Sequence, residues 1–160
     1  ERRQHFGETN QLIRMKVLSA LAAGLKPILC VGETLSQRQQ GKEEQIISEQ
    51  LQECLENVDD LNGIVVAYEP VWAIGTGEAA DPTTVSQIME GVIFKTLTTL
   101  HGKHIARDIP LLYGGSVTPD NVGDFLIKPR IHGGLIGGSS LKAEQFIEIA
   151  RITANAKEHM

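Results

Sequence analysis

The chain has 160 residues, 41% of them hydrophobic and 22% charged, with a formal net charge of −5. That is enough for one domain with a sizeable core, in ordinary globular proportions. Scattered basic residues and the acidic balance argue against a nucleic-acid surface. No apolar run approaches the roughly 18 residues of a membrane span, and Glu1-Arg2-Arg3-Gln4-His5 leads into no apolar stretch of the kind a signal peptide requires.

In chain order, Thr9 or Asn10 can cap a helix whose apolar positions Leu12, Met15, Leu18 and Leu21 recur every three residues, and Gly24 ends it. Pro27 to Val31 is a short, continuously apolar strand, the pattern of a strand covered on both faces in a parallel sheet. From about Glu43 to Asn57, Ile46, Ile47, Leu51, Cys54 and Leu55 have helical spacing, with Gln and Glu on the other face. A second strand runs from Ile64 to Tyr68. Asp81-Pro82 is an N-cap followed by proline at the first helical position, opening a stripe of Val85, Ile88, Met89, Val92, Ile93 and Leu97. The third strand is Leu111 to Tyr113. Thr118-Pro119 repeats the cap-then-proline signal before a short helix with Val122, Phe125 and Leu126 inward. The last strand is about His132 to Ile136, and Ser140 can cap a final helix with Leu141, Phe146, Ile147 and Ala150 on the core.

One helix followed by four βα units implies a parallel sheet with helical crossovers. No repeat, low-complexity segment or linker divides the chain. Two architectures fit, a doubly wound open sheet and part of a (β/α)8 barrel, and in both the ligand lies past the carboxyl ends of the strands. Cys30 in a predicted strand and Cys54 on the apolar side of a helix favour two buried free thiols, in a reducing cytoplasm, over a disulfide.

The chemistry concentrates in those loops. Glu69 ends a run of β-formers, and Pro70 then stops further pairing because it lacks an N–H. Val71, Trp72 and Ile74, followed by Gly75 and Gly77, make a poor water-facing connector and a plausible apolar lid. Closing it would strip water from the carboxylate of Glu69, raise its proton affinity and make it a competent general base. Gly75, Gly114-Gly115-Ser116 and Gly137-Gly138 present backbone amides near the same end, where turns and a helix start can seat an anion. Any one of these glycines alone needs only a tight turn to explain it; three such sites beside a carboxylate favour phosphate. His101 and His104, in a polar loop, and His132, opening the last strand, read as solvent-facing or structural, and no metal-ligand spacing is present.

Glu69-Pro70-Val71-Trp72-Ala73-Ile74-Gly75-Thr76-Gly77 closely resembles the lid segment of the triosephosphate isomerase family. The resemblance continues in the family's order through Cys30-Val31-Gly32-Glu33, Tyr113-Gly114-Gly115-Ser116 and Gly137-Gly138-Ser139-Ser140-Leu141. It implies the second half of a (β/α)8 barrel: four parallel strands with flanking helices, residues 1–160 forming the C-terminal half of a single barrel domain. A complete barrel needs about 250 residues and eight strands, so a preceding half is expected, carrying the family's electrophilic histidine and substrate lysine. Glu1-Arg2-Arg3 resembles the tail of that histidine's motif.

The implied activity is interconversion of dihydroxyacetone phosphate and glyceraldehyde 3-phosphate through an enediolate, in glycolysis and gluconeogenesis, with no cofactor and no metal. Glu69 corresponds to the proton-transferring base, and Gly75, Ser116, Gly137 and Gly138 to the amides that hold the phosphate. Trp72 corresponds to the lid's hinge residue and Glu33 to its open-state partner, with Tyr113 and Ser116 holding the closed lid. Glu78 stands where the family often has a basic residue. A homodimer of the full protein is implied, with no nucleic-acid or membrane partner, and the isolated chain is expected to be inactive or nearly so. The competing readings are another phosphate-binding barrel enzyme and a non-catalytic fragment.

Overall fold

The computed structural model describes residues 2–75 and 79–158, with side chains described through Ala156. Glu1, the Thr76, Gly77 and Glu78 part of the lid stretch, and the side chain of Lys157 lie outside the described residues.

The first helix, α1 (Arg2–Phe6), precedes α2 (Asn10–Ala22), whose start is fixed by the Thr9 hydroxyl accepting from the Leu12 amide at 3.2 Å. Its end is a Schellman closure: Leu25 N–H donates to Ala20 O and Gly24 N–H to Leu21 O, both at 2.9 Å, with Gly24 at φ 71. The buried face of α2 differs from the expected one. Val17 is buried with Ile13 and Leu21 packed beside it, whereas Met15 and Leu18 are exposed. Three-residue steps fall about 60° short of a full turn each time, so a strict three-residue series walks off the core, while Ile13, Val17 and Leu21 at four-residue steps stay on it.

Strand β1 (Ile28–Val31) leads to α3 (Leu35–Gln39), started by a capping box between Thr34 and Gln37, and then to α4 (Glu43–Leu55). On α4, Ile47, Leu51, Cys54 and Leu55 are buried as expected, but Gln50 is buried with them. Strand β2 (Val65–Tyr68) is followed by a 3-10 turn, Val71–Ala73. Asp81 accepts from the Thr84 amide at 2.8 Å and starts α5 (Pro82–Ile88), which runs through a π-helical segment, Met89–Phe94, into α6 (Lys95–His101). The whole stripe from Val85 to Leu97 is buried. The π segment, centred on Gly91, has no signature in the apolar pattern.

Gly102 at φ 83 separates α6 from α7 (Lys103–Asp108), so His101 and His104 belong to helices and not to a loop. His104 is exposed beside Asp108, and burial lowers the proton affinity of His101. After β3 (Leu111–Tyr113), Thr118-Pro119 forms a turn. The helix, α8 (Val122–Leu126), begins three residues later than its cap-like signal, with the Thr118 N–H donating to the Asn121 side chain and its carbonyl accepting from Val122 N–H. Val122, Phe125 and Leu126 are buried as expected.

Strand β4 shortens to Gly133–Gly134, flanked by ladder bonds from His132 N–H to Leu111 O and Leu135 N–H to Tyr113 O. A 3-10 turn, Gly138–Leu141, precedes α9 (Ala143–Glu158). The Ser140 hydroxyl donates back to Gly137 O and does not cap α9. Among the described side chains of α9, Ile149 is buried, with Ile152 and Ala156 packed beside it, while Phe146, Ile147 and Ala150 are exposed, as is Leu141 ahead of the helix. The expected core face of this helix was therefore about one side out of register.

The four strands form one parallel sheet in the order β1-β2-β3-β4. A doubly wound sheet reverses its order at a switch point; sequential order with like-handed crossovers puts the helices on one face, as in a barrel sector. Leu29, Val31, Val66, Tyr68, Leu111 and Tyr113 are buried on that face. On the alternate face Ile28 is 46% exposed and Cys30, Val65 and Leu112 keep partial solvent access, so these strands are not covered on both sides as their continuous apolar runs suggest. An open cavity of about 840 Å³ beside the β1 edge is lined by Val17, Ile28, Cys30, Gly32 and Glu69 among others.

Cys30 and Cys54 are not joined in a disulfide. Cys54 is fully buried, and that burial pushes its thiol up, whereas Cys30 is partly exposed on the cavity. With an aromatic disulfide reagent, one thiol, Cys30, reacts promptly and Cys54 only with unfolding; prompt reaction of both in the folded chain would contradict the packing of α4.

Candidate active site

Parallel pairing puts every strand's carboxyl end at one edge, so Glu33, Glu69, Gly114 to Ser116 and Gly137-Gly138 share that end of the sheet. Glu69 extends the ladder one residue past β2, its N–H donating to Val31 O at 2.8 Å, while Gly114 N–H donates to Tyr68 O at 2.8 Å. The side chain of Glu69 then lies across Gly114. A Cβ added to Gly114 would stand 2.6 Å from Glu69 Cγ and 3.0 Å from its Oε1, and one added to Gly32 would stand 1.9 Å from Glu69 O. Two glycines thus make room for one residue, Gly32 for its backbone and Gly114 for its carboxylate. This gives Gly114 a role the sequence did not reveal: clearance for the carboxylate rather than an anion-binding turn.

Gly32 is fixed in turn by Gln50. Gly32 N–H donates to Gln50 Oε1 at 2.8 Å and Gln50 Nε2 donates to Gly32 O at 3.0 Å, so the buried amide side chain imitates a neighbouring strand. Gln50 falls in register with Ile47, Leu51 and Cys54, and that spacing was the available signal for a polar residue facing inward. Gln50→Leu strands two backbone groups in a part-buried position, at about 1–3 kcal/mol each. Chemical denaturation should show a loss of a few kcal/mol; a loss below about 0.5 kcal/mol would mean that the clamp is dispensable.

The lid stretch is tied on three sides. Trp72 Nε1 donates to Glu33 Oε1 at 2.8 Å, and the Tyr68 hydroxyl lies 3.2 Å from both oxygens of the same fully buried carboxylate. Burial, with the Glu33 charge adding to it, pushes the Tyr68 hydroxyl far up, which keeps it a neutral donor. Ser116 donates both its N–H, at 3.0 Å, and its hydroxyl, at 2.8 Å, to Ala73 O. The Tyr113 hydroxyl accepts from Ala80 N–H at 3.1 Å, and its ring stacks on Phe125 at 4.3 Å. The partner expected for an open lid and the two expected for a closed one are engaged together in this conformation.

The expected phosphate amides occupy three neighbouring loops. Ser139 Oγ donates to Val117 O at 2.7 Å and joins the loop after β4 to the loop after β3. Gly75, at φ 68, Gly137 and Gly138 are exposed, with open space where side chains would be. Ser116 differs from expectation, since its amide is given to Ala73 O and an anion would have to displace that carbonyl to use it. His132 Nδ1 accepts from Leu111 N–H at 2.9 Å, a strand-edge role. Among the described residues, no group of three or more His, Cys, Asp or Glu could hold a metal ion, and no helix is long and apolar enough to cross a membrane.

Residues 1–153 match the family model described as triosephosphate isomerase. Similar curated proteins named "Triosephosphate isomerase" include one from Caldanaerobacter subterraneus subsp. tengcongensis, 48% identical over 151 residues, covering 93% of this chain and 60% of the relative. Another, from Herminiimonas arsenicoxydans, is 48% identical over 155 residues, covering 94% of the chain and 61% of the relative. A third, from Chlorobium phaeobacteroides, is 46% identical and covers 93% and 59% respectively. The chain therefore spans about three-fifths of the length of these relatives. A parallel sheet in barrel order, with a strand-end glutamate set between two glycines, agrees with that match, and the chain belongs to the triosephosphate isomerase family.

Proposed function

We propose that this chain supplies the base and the phosphate-gripping loops of a triose-phosphate isomerase site. The supporting observation is the seat of Glu69: a carboxylate one residue past β2, laid across Gly114, beside an apolar 3-10 turn and three loops with glycine amides at the same sheet end. In this reading Glu69 takes a proton from the carbon beside the carbonyl of dihydroxyacetone phosphate and returns it to the neighbouring carbon. The amides of Gly75, Ser116, Gly137 and Gly138 hold the phosphate. Binding energy from that remote group draws the lid over the site, and exclusion of water keeps the enediolate from shedding phosphate. Seating the phosphate on Ser116 requires the Ala73–Ser116 link to exchange, which couples the grip to the lid.

The reading extends to the whole protein. The chain is the C-terminal half of a single (β/α)8 domain, and a further half supplies the electrophilic histidine and the lysine, for which these 160 residues hold no match to the family's motif. The outer edges of β1 and β4 are those available for that half. A cytoplasmic homodimer without cofactor completes the proposal, and the exposed Phe6, Met15 and Leu18 suit burial by other protein surface.

The experiment joins the chain to the amino-terminal portion of a family relative and assays glyceraldehyde 3-phosphate isomerisation. Turnover by the joined protein, with little or none from the 160-residue chain, supports the reading. Normal turnover by the chain alone would sink the claim that it lacks essential groups.

A further inference from the structure

We propose that Arg38 is a positioning residue for the lid, holding Trp72 in its docked place over the face of its ring. Its location follows from the local sequence. Thr34-Leu35-Ser36-Gln37 is a capping box in which Gln37 N–H donates to Thr34 Oγ at 3.3 Å and Thr34 N–H donates to Gln37 Oε1 at 2.8 Å. The box turns α3 sharply after Glu33 and returns Arg38 to the carboxylate five residues before it. There Arg38 Nη1 lies 3.3 Å from Glu33 Oε1, and its guanidinium carbon stands 4.8 Å from the centre of the Trp72 ring.

Glu33 Oε1 is thus shared by the Trp72 indole N–H, the Tyr68 hydroxyl and Arg38, while Arg38 covers the indole face. The three contacts reinforce one another. The buried carboxylate orients the indole edge, the guanidinium offsets the carboxylate's charge, and the same cation is drawn to the ring's π-face. A planar fork can meet a carboxylate and a ring together, which an ammonium does poorly. Trp72 is the middle residue of the Val71–Ala73 turn that carries Ala73 to Ser116, so loosening it loosens that turn.

Trp72 is the chain's one tryptophan, so its fluorescence reads docking without any assay of turnover. Loss of a cation–π contact at a partly exposed site changes a docked-to-undocked ratio by about 2- to 5-fold. In Arg38→Gln of the 160-residue chain, emission should shift to the red and acrylamide quenching should rise, with far-ultraviolet circular dichroism unchanged; Arg38→Lys should fall between parent and Arg38→Gln. Parent-like emission and quenching in a folded Arg38→Gln overturns the proposal. Should Arg38→Gln lose its helical signal, Arg38→Lys decides, with raised quenching in support and parent-like quenching against.

The kinetic consequence depends on the isomerase reading. In the joined protein, Arg38→Gln should raise KM for the triose phosphate at least 3-fold, with kcat changed less, because undocking lowers the fraction ready to close. An unchanged KM beside raised quenching would show Trp72 released without effect on the lid and overturns the positioning role. Absence of turnover in the unsubstituted joined protein contradicts the isomerase reading alone and leaves the fluorescence result standing.

Discussion

In the joined protein, Glu69→Gln should lower kcat for triose-phosphate isomerisation by about 10²- to 10⁴-fold, the usual range for a positioned general base. Glutamine keeps the volume and one carbonyl oxygen of the side chain but cannot accept the substrate's proton. The Gly75 amide lies six residues further along the same stretch and those of Gly137 and Gly138 on the loop after β4, so all three keep their places and affinity for a phosphate-bearing inhibitor should stay within a few-fold of the parent. The measurement is a coupled assay of kcat beside a binding titration of that inhibitor. A loss below 10-fold in kcat would favour a phosphate-binding barrel with other chemistry, because such an enzyme keeps the glycines without needing this carboxylate.

The second large effect is expected at a residue that bears no functional group. Gly114→Ala places a methyl 2.6 Å from Glu69 Cγ and 3.0 Å from Oε1. The backbone of Gly114 has no positive φ, so alanine is not strained there by its own conformation. The side chain of Glu69 must give way, and a displacement of about 1 Å at the reacting group can cost about 100-fold in rate. Stability should suffer less than catalysis, since Glu69 can swing towards the open cavity. Gly32→Ala makes the contrast. Its methyl would stand 1.9 Å from the backbone carbonyl of Glu69, which no rotamer relieves, so chain stability should fall there together with activity. Kinetics and denaturation of the two variants separate the effects, and equal stability losses would mean that Gly114 serves the fold and not the carboxylate.

Much of this was readable from local pattern. The stripe from Val85 to Leu97 is long, regular and opened by Asp81-Pro82, and it is buried throughout. Strand-end loop chemistry was legible too, because Pro70 lacks the N–H that a ladder needs and marks where β2 ends. The amphipathic edges of the chain were less legible. Met15, Leu18, Phe146 and Ile147 are apolar yet exposed, and apolar character alone does not say which surface a residue is kept for. The doubly wound alternative was separable only by strand order, a property of pairing between distant segments.

The candidate site divides the same way. Glu69 and its neighbours announce themselves, but what holds them does not. Gln50 looks like one of several polar residues on an acidic helix until its two bonds to Gly32 are seen. Arg38 lies in a stretch without apolar period, and only the Thr34–Gln37 box hints that it turns back on Glu33. The Ser116 amide was read as open to phosphate because turn glycines usually leave amides accessible; the carbonyl of Ala73 claims it through a contact 43 residues apart.

Proton transfer by Glu69 can be followed at the atom it moves. Dihydroxyacetone phosphate is incubated in deuterium oxide with the joined protein, and deuterium on the carbon beside the carbonyl is read by proton nuclear magnetic resonance. The account predicts steady incorporation with the parent and incorporation slowed at least 100-fold with Glu69→Gln; incorporation at the parent's rate in Glu69→Gln would contradict it.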